Sequence, residues 1–254
     1  MTEANTMGQC VKRQRMLPAV VAGFSLFLLF STPGLCGQKS QLVSNLESGK
    51  KQTVVAYGTS LTALGAWVEQ FSEVLGRQYP GLATVINSGE AGRWSRWGVD
   101  NLQALVIDKH PDLVFIEFSI NDANQMFATD VTQSRVYLET MIDRILAARK
   151  SCEIILMVMN PPTGHFLATR PAIEFYNQMY RNVAAERHLT LIDHSPDWKK
   201  ILREDPQLYA KYVPDGLHPD AEGCKAVITP NILRALGIRL HPTTPSPKMP
   251  SYSK

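Results

Sequence analysis

The stretch "VVAYGTSLTALGAWVEQF", residues 54–71, opens on an apolar, β-rich run, breaks at Gly58 and places Ser60 just ahead of a helical pattern. A short apolar run closed by glycine and followed by helical periodicity is the first half of a strand–helix unit. Ser60 then reads in two ways. Its side-chain oxygen can cap the helix by accepting an orphan backbone N–H bond. Alternatively it is a nucleophile held at the end of a strand. The window alone does not choose between them.

The rest of the chain repeats the same unit. Short β-rich runs lie at 53–57 ("TVVAY"), 83–87 ("ATVIN"), 112–118 ("DLVFIEF"), 153–159 ("EIILMVM") and 189–193 ("LTLID"). Each is near-continuously apolar, the pattern of strands buried on both faces. Helical patterns at 64–78, 98–109, 131–149, 171–187 and 221–236 separate or follow them. Pro171 falls at the tolerated first-turn position. Such alternation predicts an α/β fold, a three-layer αβα sandwich around a parallel sheet of about five strands. The domain is expected over 52–238, after a polar, irregular lead-in at 37–51 and before a Pro- and Ser-rich, disordered tail at 239–254. There is no internal repeat.

With 254 residues, 44% of them hydrophobic, the chain can bury one sizeable core. Its N-terminus reads as an export signal: Lys12, Arg13 and Arg15 precede an uncharged apolar stretch at 16–30, then the small and polar residues of "STPGLCG". The expected leader is 1–36, giving a secreted or periplasmic product. The apolar run is shorter than the ~20 residues of a spanning helix, so an uncleaved anchor ranks behind cleavage. A lipid on Cys36 also ranks behind, because Leu35 fits poorly where a small residue is preferred. Removing the leader lowers the net charge from +3 to +1, which gives no global basic face for nucleic acid. Cys152 and Cys224 remain in the mature domain, either as a disulfide, which export permits, or as two small buried residues. No C-x-x-C or H-E-x-x-H spacing points to a metal.

In parallel α/β folds, sites gather beyond the carboxyl ends of the strands. There the sequence places Ser60 in "GTS", Gly89 and Gly92 in "NSGEAGRWS", Asn121 in "SINDAN", Asn160 and His165 in "NPPTGH", and Asp215 and His218 in "VPDGLHPDAEG". Taken in order, "YGTSLT", "NSGEAG", "FSINDAN" and "DGLHPDAEG" resemble the four blocks of the SGNH hydrolases, the GDSL-type esterase and lipase superfamily. The resemblance runs from about Thr53 to Leu236. It implies a flavodoxin-like SGNH hydrolase fold and a serine esterase without cofactor or metal. By position it makes Ser60 the nucleophile, His218 the base and Asp215 the acid. The oxyanion donors would be the N–H groups of Ser60 and Gly92 and the amide of Asn121. Two positions depart from the family pattern. Thr59 replaces the Asp of G-D-S, leaving open how the nucleophile turn is braced, and Ser119 replaces the Gly two before the block's Asn.

These residue types suit acyl transfer. A serine hydroxyl needs a base to take its proton, an imidazole with an ordinary pKa near ~6.5 can do so, and a carboxylate holds that imidazole's tautomer. The expected substrate is a small-molecule or glycan ester, with a carbohydrate O-acetylester as one reading. A lipase, lysophospholipase or thioesterase on the same fold, or a non-catalytic glycan-binding surface protein, are the alternatives. An α/β-hydrolase fits less well, because "GTSLT" is not G-x-S-x-G and acid and base share one loop. Asp193 and His194 form a rival acid–base pair, but neighbours at a strand end face opposite sides and are read as structural. His165, Arg93, Trp94, Arg96 and Trp97 read as loop groups that could shape a cleft.

Overall fold

All five runs form strands in the computed structural model, which describes residues 39–239: β1 (Gln52–Gly58), β2 (Ala83–Asn87), β3 (Leu113–Glu117), β4 (Glu153–Val158) and β5 (Thr190–Asp193). The expected leader and nearly all of the expected tail lie outside these residues. Every strand pair is parallel and the order is β2-β1-β3-β4-β5, the flavodoxin-like arrangement. The chain leaves β1 toward β2 on one side, then crosses back to β3 on the other. That reversal opens a crevice beyond the carboxyl ends of β1 and β3, the place where such sheets bind ligands.

The helices are α1 (Gln41–Glu47), α2 (Ser60–Ala63), α3 (Trp67–Gln78), α4 (Ser95–Leu105), α5 (Ser119–Asp122), α6 (Val131–Ala148), α7 (Gly164–Ala168), α8 (Ile173–Glu186), α9 (Ser195–Glu204) and α10 (Pro206–Tyr212). A last run comprises α11 (Ala221–Gly223), a π-helical stretch at Cys224–Ile228 and α12 (Thr229–Leu236). Pro230 has no N–H to continue an α-helical ladder, and the wider π turn stands where that ladder would break. Among the described residues, no helix is long and apolar enough to cross a membrane.

Alternate strand residues feed two separate cores. On one face Val54, Ala56, Leu113, Phe115, Ile155 and Met157 pack with Trp67 and Phe71 of α3 and with Ile232 and Leu236 of α12. Trp67 and Phe71 both meet Phe115 edge-on, with ring centroids 5.6 and 5.7 Å apart. On the other face Val55, Tyr57, Val114, Ile116, Leu156 and Val158 pack with α4, α6 and α8. The expectation that every strand is buried on both faces holds for the three central strands only. β2 and β5 are edges, so Val85, Ile86 and Leu191 stay half-buried.

One further expectation needs correction, and one open choice closes. The lead-in at 37–51 is not irregular throughout. Ser40 caps α1 by accepting from Val43 N at 3.2 Å, and Leu42, Val43 and Leu46 enter the first core. Leu42 N donates to Glu153 Oε2 at 3.1 Å, and Ser40 N donates to Leu236 O at 3.2 Å. The helix therefore sits at the amino ends of the strands, beside the end of α12. The cysteines do not form a disulfide: Cys152 and Cys224 are free, buried thiols in opposite cores, separated by the sheet. Burial pushes their pKa values up to about 12 and about 11.

Leu46 is 1% exposed. Leu46→Ala should therefore cost about 2–5 kcal/mol, the usual range for emptying a core leucine site. Urea unfolding measures it; a loss below about 0.5 kcal/mol would mean that α1 is not part of the folded unit.

Candidate active site

β1 ends at Gly58, and the next residue answers the question raised by Ser60. Thr59 has extended backbone, and its hydroxyl accepts from Leu61 N at 3.2 Å. Thr59 is thus the N-cap of α2, and Ser60 is its first helical residue. Relieved of capping, the Ser60 hydroxyl lies 2.8 Å from His218 Nε2. Its side of the crevice stays open, with Ser60 9% exposed.

His218 and Asp215 come from one tight loop. Asp215 Oδ1 accepts from Leu217 N at 2.8 Å and from His218 N at 2.7 Å, which curls the segment on itself. Asp215 Oδ2 then accepts from His218 Nδ1 at 2.6 Å. That bond leaves Nε2 without a proton and free to accept from Ser60, a tautomer assigned from the neighbours. Partial burial raises the Asp215 pKa, but the His218 N–H, its ring and the Leu217 N–H outweigh it and hold the carboxyl below its usual value. Gly216 makes the turn possible: its φ is +85°, and a Cβ there would sit 2.7 Å from Thr163 Oγ1. The loop is also pinned from outside, as Thr163 N donates to Gly216 O at 2.8 Å and Asn160 Nδ2 donates to Leu217 O at 2.9 Å.

The opposite side of Ser60 is lined by the loops after β2 and β3. Asn121 is 4% exposed and its amide is held at both ends: Nδ2 donates to Arg93 O at 2.8 Å, and Oδ1 accepts from Arg170 Nη2 at 3.1 Å. Gly92, next to Arg93, has a left-handed φ of +71° and faces open space. The N–H groups of Ser60 and Gly92 make no hydrogen bond to another described residue. Asp122 ties the two loops together, accepting from Ser95 N at 2.8 Å and from Ser134 Oγ at 2.5 Å. Burial pushes the Asp122 pKa up to about 6 against these bonds.

A family model described as the GDSL-like lipase/acylhydrolase family matches residues 54–226. The chain belongs to this family. It is a serine ester hydrolase by that membership. No curated protein matches the sequence significantly. Solved structures share the fold at low identity. Axe2, an acetylxylan esterase from Geobacillus stearothermophilus, superposes with a TM-score of 0.65 at 20% identity, covering 75% of this chain and 96% of its own. A protein of Parabacteroides merdae described as a GDSL-like lipase gives 0.67 at 16%, covering 75% and 97%. LAE5, a hydrolase from the metagenome of Lake Arreo in Spain, gives 0.63 at 21%, covering 74% and 96%.

Within the GDSL-like family the unusual Thr59 has a partner that sequence reading did not single out. Glu117, at the end of β3, accepts from Thr59 N at 2.7 Å, Thr59 Oγ1 at 2.9 Å and Thr62 Oγ1 at 2.8 Å. A Cβ on Gly58 would lie 2.4 Å from Glu117 Oε1, so only glycine fits beneath this carboxyl. The brace of the turn that carries Ser60 is therefore a carboxyl from the neighbouring strand. No cation pairs with it among the described residues. Burial pushes its pKa up to about 7, with the Thr59 and Thr62 bonds opposing that rise. An acid ending an otherwise apolar strand, "DLVFIEF", was the available signal.

The rival pair Asp193–His194 is engaged elsewhere. Asp193 Oδ2 accepts from Arg181 Nε at 2.8 Å and its Oδ1 accepts from Ser195 Oγ at 2.7 Å. His194 is fully buried, which pushes its pKa down to about 4, and its ring nitrogen Nδ1 faces Asn231. Of the aromatic and basic loop groups, Trp94 stacks on Phe127 at 4.6 Å and Arg93 lies over Trp97 at 5.7 Å. His165 and Arg96 are exposed.

Glu117 gives stability a pH dependence of definite sign. Its folded pKa is raised from 4.5 to about 7, so its contribution is complete below the unfolded value and is lost as pH rises through the folded one. Glu117→Gln keeps an acceptor for the threonines and removes the ionisation. Between about pH 5 and 7 the wild type should lose stability relative to this variant, by up to about 1.4 kcal/mol per pH unit. Paired thermal melts across that range test it; parallel curves would show that Glu117 does not titrate there.

Proposed function

We propose that the protein is an exported serine esterase that uses Ser60, His218 and Asp215 to cleave small acyl groups, foremost acetyl groups, from a carbohydrate. The observation that carries this reading is the unbroken hydrogen-bonded line Ser60 Oγ–His218 Nε2–Asp215 at the crevice between β1 and β3. Ser60 Oγ attacks the ester carbonyl carbon while His218 Nε2 takes its proton. The negative oxygen of the tetrahedral intermediate is met by the N–H groups of Ser60 and Gly92 and by Asn121 Nδ2, whose second hydrogen is not used by Arg93. Collapse expels the alcohol, which takes the proton from His218. Water, deprotonated by the same imidazole, then attacks the acyl-enzyme and releases the carboxylic acid. Asp215 holds the tautomer and stabilises the imidazolium, and stays ionised throughout.

Supporting the carbohydrate reading, catalytic variants of the acetylxylan esterase replace a serine, an aspartate and a histidine, the last two three residues apart, as are Asp215 and His218. The acid and base are also open to solvent, with side chains 46% and 32% exposed, which admits a bulky alcohol. A second reading, a lipase, is favoured by exposed apolar side chains on three of the crevice loops: Leu64, Met126 and Leu167. A p-nitrophenyl ester series separates them. The esterase reading expects kcat/KM to be highest for acetyl and to fall with chain length, and a maximum at octanoyl or longer would favour the lipase. Export is tested by N-terminal sequencing of protein recovered outside the cytoplasm, expected to begin near Gly37.

Ser60→Ala and His218→Ala should each lower kcat by about 10⁴-fold or more, and Asp215→Ala by less. Ser60→Ala combined with either change should cost little more, because the three act as a unit. Asp193→Ala should leave kcat within about threefold of wild type if its partners are only structural. If Asp193→Ala matched Asp215→Ala without unfolding, the acid would have to be reassigned.

A further inference from the structure

Arg170 is a buried cation for which neither the family blocks nor the proposed mechanism has a use. It is 3% exposed, and among the described residues it has no carboxylate partner within salt-bridge distance. Burial pulls its pKa down, as desolvation of a charge must. A buried arginine is ordinarily matched by a carboxylate, because an uncompensated charge is costly away from water. Here the guanidinium spends its donors on neutral oxygens of two short helices, α5 and α7 with its C-cap Thr169. Nε donates to Ile120 O at 2.7 Å, Nη1 to Thr169 Oγ1 at 3.0 Å and to Phe166 O at 3.3 Å, and Nη2 to Asn121 Oδ1 at 3.1 Å.

Two of these acceptors belong to adjacent residues of α5, so the planar fork fixes both the backbone and the side chain at Asn121. An amide can sit in either of two orientations, and a pocket that does not distinguish oxygen from nitrogen would populate both. Arg170 can only donate, and Arg93 O can only accept. Together they leave one orientation, with the NH₂ group toward the Gly92–Arg93 loop.

Resting on the mechanism proposed above, we propose that Arg170 is the positioning residue of the oxyanion hole: it locks the Asn121 amide in its donating orientation and places an unneutralised positive charge behind it. The charge does not touch the substrate. It polarises the amide, so that its remaining N–H is a stronger donor when negative charge develops on the carbonyl oxygen. The same guanidinium lies 5.6 Å from the centre of the Phe166 ring, and Phe166 meets the His218 ring edge-on at 6.2 Å. Through Phe166 the same buried side chain also packs toward the base.

The test compares wild type, Arg170→Lys, Arg170→Met, Asn121→Ala and the double variant Asn121→Ala/Arg170→Lys on p-nitrophenyl acetate, with melting temperatures measured alongside. Arg170→Lys retains a charge and most of the stem but cannot reach Ile120 O and Asn121 Oδ1 together. It should stay folded and lower kcat about 10- to 100-fold, somewhat less than loss of an oxyanion donor outright, while KM changes by no more than about twofold. Affinity for a trifluoromethyl ketone, which forms a tetrahedral adduct, should fall by the same factor as kcat. The double variant should be no slower than Asn121→Ala alone, because Arg170 acts through that amide. Retention of kcat in both Arg170 variants would overturn the proposal, as would full additivity in the double variant. Failure of both to fold would overturn it too, by making Arg170 a structural residue. An inactive wild type, or an active Ser60→Ala, would instead overturn the mechanism on which the inference rests.

Discussion

The Glu117 carboxyl, taking three donors from the turn that carries Ser60, is the interaction on which the geometry of the candidate site depends. Gly58 and Glu117 are paired residues in the β1–β3 register, so the carboxyl lies where two parallel strands end and their loops diverge. At this point the sheet can no longer satisfy the backbone, and a side chain takes over. The bond to Thr59 N fixes the approach to α2. The Thr59 hydroxyl then serves both as donor to Glu117 and as cap for Leu61 N, which leaves Ser60 free to face the crevice. A buried acid with no cation to pair with is an expensive brace, and its raised pKa is the visible sign of that cost.

The other loops follow the same construction. Asp122 joins the loop after β3 to α4 and α6, Asn160 and Thr163 clamp the Asp215–His218 loop from β4, and Arg170 holds Asn121. The clamps are hydrogen bonds between polar groups of neighbouring loops and helices, most of them made by a side chain. Loops are ordinarily the variable and mobile part of such a fold. Here the residues around Ser60 are cross-tied, while the exposed Leu64, Met126 and Leu167 stand outside the ties.

The fold was legible because the central strands carry their own signal. Val54 to Tyr57 or Ile154 to Val158 can be nothing but strands buried on both sides, and the helices between them repeat at the right period. The run "SPDWKKILREDPQLYAKY" was not singled out, since α9 and α10 bury little beyond Trp198 and Tyr209 and stay polar elsewhere. The first helix was missed for a similar reason, with three apolar residues in a polar segment. In the candidate site, Ser60, Gly92 and Asn121 were legible as candidates because they fall just past strand ends, and Asp215 and His218 because they stand together before the last helix, all in a recognisable order. Glu117 and Arg170 were not. Their partners lie 58 and 49 residues away, and a tertiary hydrogen bond leaves no periodic trace in the chain. Nor could spacing decide which of the hydroxyls at 59, 60 and 62 caps the helix, because all three are chemically able to.

The junction of Ser40 with Leu236 has a topological consequence. The two ends of the described domain meet: Gly237 packs against the backbone of Lys39, and Gln78 donates to Arg239 O on the same side. They meet at the amino ends of the strands, beneath Glu153, whereas Ser60 lies at the carboxyl ends. A short linker could close the chain into a ring without disturbing either core, and new ends could then be opened in a surface loop elsewhere. For the same reason, a carrier or surface joined at Lys39 or Arg239 would leave the crevice at Ser60 facing outward, with the full depth of the sheet between the two.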